Sequence, residues 1–147
     1  MKRRSLRGFG RARGGATAVE FALVIGPFLL LMFGVIEFGR LMWTRQALQQ
    51  AAMAGARCAG VLNSSCASSG AFSSANTVTY VQGLSSGWGI TLTTSNITAT
   101  NSTTCAGVSG FSQVAISYTF QTPVAVLIGL PSAGYPLTVS ACFPNQS

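Results

Sequence analysis

The chain predicts an α+β protein, with a long N-terminal transmembrane and projecting α-helix and then a small head built from a short helix and an antiparallel β-sheet. An uncharged apolar run from Phe21 to Ile36 is flanked by Glu20 and Glu37, and helical spacing continues beyond it with no proline before Gly60. After Val61 the composition turns to Ser, Thr, Gly and Asn with alternating apolar positions. Three segments follow from these patterns: a basic leader at 1–15, a long helix at 16–60 whose membrane part covers about 16–39, and a disulfide-bearing head outside the cytoplasm at 61–147.

The leader has Lys2, Arg3, Arg4, Arg7, Arg11 and Arg13 among glycines, with neither helical periodicity nor strand alternation, so it reads as disordered. The apolar run opens the helix. At 1.5 Å per residue its 16 uncharged residues cover about 24 Å, and the flanking Ala16–Val19 and Phe38 extend it to the ~30 Å of a hydrocarbon core. Pro27 deletes one backbone hydrogen bond and crowds the preceding turn, so the helix is expected to bend there and continue. Positive charge crowded before the span orients the N-terminus to the cytoplasm and the rest of the chain outward, as a single-pass membrane protein.

Past the span, Leu41, Thr44 or Arg45, Leu48, Ala52, Gly55 and Ala59 recur on one helical face, and Gly60 offers a stop. A helix from 16 to 59 is about 65 Å long, twice what a bilayer needs, so half of it projects. Its small-residue face suits close approach of another helix. In the head, Ser74 is expected to cap a short helix with Val78, Val81 and Leu84 on one stripe. Strands are expected at Ile90 and Leu92, at Val114, Ile116, Tyr118 and Phe120, and at Leu137, Val139 and Ala141. Pro123 to Leu130 is apolar but too short to span a membrane, and reads as a buried loop or strand.

Charge and composition narrow the chemistry. The chain has nine Lys and Arg against two Asp and Glu, and no His, but six of the cations precede position 15, so the basicity is a terminal tag and no nucleic-acid partner is expected. No ionisable Asp, Glu, Lys or Arg follows Arg57. General acid–base and metal-assisted catalysis need His or carboxylates at the reacting atoms, so neither an enzyme, a cofactor nor a metal is expected.

Arg13 to Phe21 reads RGGATAVEF. A basic leader, a Gly, and a Glu five residues into the apolar segment resemble the type IV prepilin signal, which implies cleavage by prepilin peptidase between Gly15 and Ala16, with Glu20 as the fifth mature residue. An ordinary secretory signal accounts poorly for a carboxylate at the edge of the apolar run. Glu20 of a neighbouring subunit is an expected partner for the new α-amine of Ala16.

The VEFAL opening with Phe21, the EFGR junction with Glu37 and Arg40, the aromatic Trp43 after it and the closing GAR resemble the TadE-like family of tight-adherence pilus proteins. That resemblance implies a minor pilin-like component of Tad/Flp type IV pilus assembly, supporting adhesion and surface colonisation. The implied partners are prepilin peptidase, other pilin and pseudopilin subunits and the Tad inner-membrane platform. The head adds little to the resemblance. Two alternatives are an uncleaved single-pass anchor of an assembly factor and an exported adhesin-like module using Trp88 and Tyr135.

Glu37 and Arg40 stand one turn apart, where opposite charges attract. Cys58, Cys66, Cys105 and Cys142 permit three pairings, which sequence alone does not separate. The expected pairs are Cys58–Cys66 and Cys105–Cys142; a zinc site fits neither the spacing nor the lack of His. Asn63, Asn96 and Asn101 match glycosylation acceptor patterns that arise by chance in a Ser/Thr-rich chain.

Overall fold

The computed structural model describes residues 14–122 and 134–146. The basic leader up to Arg13 and the Pro123–Leu130 run lie outside the described residues. Helix α1 runs Gly14–Gly60, followed by strands β1 (Ala67–Ser68) and β2 (Ala71–Phe72), helix α2 (Ser74–Gly87), a 3-10 turn (Thr94–Asn96), and strands β3 (Ile97–Cys105), β4 (Val108–Phe120) and β5 (Tyr135–Pro144). The class is α+β. Two compact units divide the chain between Glu37 and Phe38, inside α1.

In the first unit α1 passes through Pro27 without a break. None of the most apolar 18-residue stretch of the helix is buried within the molecule, and among the described residues α1 is the one helix long and apolar enough to cross a membrane. Val19, Phe21, Leu23, Val24, Leu31 and Val35 are all exposed. In water this surface would be unfavourable by about 25 cal/mol for each Å², so it requires either lipid or protein around it.

The second unit has two layers, helices on a sheet. Strands β3, β4 and β5 form an antiparallel sheet in that order, with Ile97 opposite Ile116 and Ile116 opposite Val139. Its inner face contributes Ile97, Ala99, Val114, Ile116, Leu137 and Val139 to a core shared with Leu48 and four alanines of α1 and with Val78 and Val81 of α2. The alternation anticipated for Val114–Phe120 and Leu137–Ala141 is therefore present. The small-residue face of distal α1 is used within the head: Gly55 packs so closely that an added Cβ would collide with Val81 Cγ2 and reach Val114 Cγ2 at 3.4 Å.

Several local expectations are corrected. Helix α2 is capped by Ser73, whose extended backbone lets its hydroxyl accept from the Asn76 N–H at 3.3 Å; the Ser74 hydroxyl instead donates to Ala99 O at 3.2 Å. Ile90 and Leu92 are both buried but form no strand. Their backbone groups are engaged elsewhere, by Ser85 O with Ile90 N at 3.0 Å and by Gln82 Nε2 with Leu92 O at 2.9 Å. Strand β3 carries the sheet edge instead. Gly60, the last residue of α1, has no room for a side chain, since Phe143 Cδ1 would lie 2.7 Å from a Cβ there, while the left-handed residue of the cap is Leu62 at φ 50°. The Asn63 N–H donates to Cys58 O at 3.1 Å and the Leu62 N–H to Ala59 O at 3.3 Å, the pairing of a Schellman termination.

Both short hairpins turn on two successive left-handed residues, Ser69-Gly70 (φ 52° and 78°) and Ala106-Gly107 (φ 50° and 86°). That twist matches the flanking strands.

Candidate functional site

The residues singled out by the sequence fall into three groups. Gly15 and Ala16 lie in the first turn of α1, and a Cβ added at Gly15 would meet nothing within 4 Å. Gly15 is exposed. Glu20 and Phe21 follow on the same turns, both exposed.

Glu37 and Arg40 stand at the junction of the units. Glu37 is half-buried and Arg40 exposed, and the Arg40 guanidinium carbon lies 5.7 Å from the centroid of the Phe120 ring, a cation–π stack within the second unit. Thr44, one turn on, is buried and donates its hydroxyl to Arg40 O at 2.9 Å. Arg40 is therefore oriented by the end of β4. Sequence reasoning missed Phe120 in this role, since it read only as a core position of a strand and nothing local links it to a residue eighty positions earlier.

The cysteines form the third group. Disulfides join Cys58 to Cys66 (Cα–Cα 5.8 Å) and Cys105 to Cys142 (Cα–Cα 6.5 Å). The first closes the loop that follows α1, and the second ties the end of β3 to β5. A polar cluster stands beside the second: Ser112, fully buried, has its hydroxyl 2.6 Å from Asn145 Oδ1 and 3.0 Å from Asn101 Oδ1, while Asn145 Nδ2 donates to Asn101 Oδ1 at 2.6 Å. Asn96 Nδ2 donates to Ser117 O at 2.8 Å. Two of the three asparagines in glycosylation-type patterns thus hold the sheet together. Trp88 and Tyr135 are exposed, at the end of α2 and the start of β5.

Among the described residues no three His, Cys, Asp or Glu side chains gather as metal ligands. The arrangement offers an exposed apolar rod, a carboxylate near its start, and a head cross-linked by two disulfides. Residues 15–57 match the family model described as TadE-like protein. This segment is similar to TadE-like protein. The match lies wholly inside α1 and covers Glu20, Phe21, Glu37 and Arg40. No curated protein and no solved structure matches the chain. The head therefore stands on its own geometry.

Proposed function

We propose that this chain is a minor pilin-like subunit, a pseudopilin, of Tad/Flp type IV pilus assembly that acts in adhesion and surface colonisation. The observation carrying this reading is the bare apolar stretch of the TadE-like helix, none of which is covered by the chain itself. Such a surface is stable in lipid, and equally stable against other apolar helices. Assembly exchanges the first environment for the second.

In this reading the leader stays in the cytoplasm, prepilin peptidase cuts between Gly15 and Ala16, and the head faces the periplasm or exterior. Release of the basic leader frees the α-amine of Ala16, and Glu20 of a neighbouring pilin subunit pairs with it to set helix register. Desolvated between helices, such a pair is selective, because a misregistered carboxylate is left without a partner. Glu37 and Arg40 contact other pilus components or the Tad inner-membrane platform. The disulfides suit an oxidising compartment, where they replace the salt bridges that a head without carboxylates cannot form.

An uncleaved chain that serves as a permanent anchor for an assembly factor would use the same apolar helix. N-terminal sequencing of protein extracted from the inner membrane separates the two. Ala16 as first residue supports the pseudopilin; Met1 supports the anchor and rejects processing.

A further inference from the structure

A cleft at the C-terminal end of α1 has no part in the reading above. Ala54, Arg57 and Val61, the loop residues Asn63 and Ser65, and Tyr80 of α2 line a space of about 500 Å³, with the Cys58–Cys66 disulfide fixing the loop. Arg57 is exposed and Tyr80 half-buried. Among the described residues no hydrogen bond or ion pair engages the Arg57 guanidinium or the Tyr80 hydroxyl. Asn63 Oδ1 already accepts the Ser65 N–H at 3.0 Å, so the hydrogen-bonding capacity left to that side chain is mainly its amide N–H donors.

An arginine, which can only donate, with an amide N–H and a phenol O–H beside it, fits a ligand that accepts. The unit cannot supply one from its own side chains. Residues Phe38–Ser147 contain Arg40, Arg45 and Arg57 and no Asp or Glu, because the two acidic residues of the chain are Glu20 and Glu37. A single guanidinium balances a monoanion, whereas a phosphate dianion would remain undercompensated. The planar fork of Arg also matches a carboxylate in bidentate geometry.

We propose that this cleft docks a Glu or Asp side chain of a partner subunit, with Arg57 as the bidentate cation and Tyr80 and Asn63 as flanking donors. It rests on the assembly reading, and identifies where on the head a partner engages and by what chemistry. Steering by the arginines of a unit whose side chains include no acid favours acidic partners over basic ones.

The test uses the full-length chain in its own membrane, with a photo-crosslinking residue in place of Val61. The expected result is an adduct whose partner peptide carries Asp or Glu, with a yield lowered roughly tenfold or more by Arg57→Glu, in keeping with loss of a charge-assisted hydrogen bond. Exchanging the partner carboxylate for Lys should restore the yield with Arg57→Glu. Arg57→Gln, which adds no repulsion, should fall between. Since Arg57 is exposed, folding of each variant is checked by the unreduced mobility of the Cys58–Cys66 form. No adduct, a yield unchanged by both substitutions, a partner peptide without an acid, or an adduct to a second copy of this chain would overturn the proposal. Normal piliation of Arg57→Glu beside defective piliation of Glu20→Ala overturns the cleft alone. Normal piliation of both overturns the pilin reading as well.

Discussion

Single side chains decide how closely the elements of this protein approach. Gly55 is the clearest instance, for there is no room at its Cα for even a methyl group between Val81 and Val114. Gly55→Leu should destabilise the head by about 1–3 kcal/mol, the usual cost of overpacking, measurable as a lower Tm of the full chain in detergent. Ala106 sits in a left-handed conformation at φ 50° that costs an L-residue roughly 1–2 kcal/mol. Ala106→Asn gives the Asn-Gly pair that such a turn favours and should raise stability by about 1 kcal/mol in the same measurement. At the start of α1, Gly15→Leu should leave a longer precursor on an immunoblot. Glu20→Ala should still be cut yet enter pili poorly, and normal piliation by both variants would reject the register role of Glu20. The TadE-like residues were legible because their signal is local: a carboxylate bordering an apolar run can be read without knowing the fold. Phe120 under Arg40 was not, because a stack between residues so far apart in sequence exists only once β4 is placed.

At the scale of elements, pattern and backbone disagree where side chains satisfy the backbone. Ser73 and Ser74 are adjacent and equally suited to capping, and only the extended conformation of Ser73 assigns the role. Ser73→Ala should cost about 1 kcal/mol, seen in thermal unfolding, whereas a Ser74→Ala effect larger than that would contradict the assignment. The run around Ile90 and Leu92 has the burial alternation of a strand, but Gln82 and Ser85 of α2 take its polar groups. β3 escaped notice for the opposite reason. Its sequence ITATNSTTC offers only Ile97 and Ala99 to the core, so its hydrophobic contrast is low. The strand is defined by its ladder to β4 and by Asn96 and Asn101.

For the whole molecule, stability of the head depends on covalent closure as well as packing, because nine of the sixteen buried apolar residues of its described core are the small Ala and Val. By chain entropy, replacing Cys105 and Cys142 with Ser should cost about 4 kcal/mol and the shorter Cys58–Cys66 loop about 2.5 kcal/mol. Unreduced thermal denaturation of each double variant tests that order, and equal losses would show that strain or residual structure outweighs loop length. Partitioning of the full chain into membranes tests the other unit: inserting Arg in place of Leu30 should cost a few kcal/mol of insertion and reduce the membrane-bound fraction. By itself the sequence determined the long apolar helix, the class of the fold and the outline of β4 and β5, since periodicity, charge and composition act over a few turns or residues. Only the tertiary structure decided which cysteines meet among three pairings, where the sheet ends, and that the small face of distal α1 is consumed inside the head. It also brought Arg57, Asn63 and Tyr80 to one cleft. Those outcomes depend on contacts between distant segments, whose free energy is gained only when the whole head closes around its core.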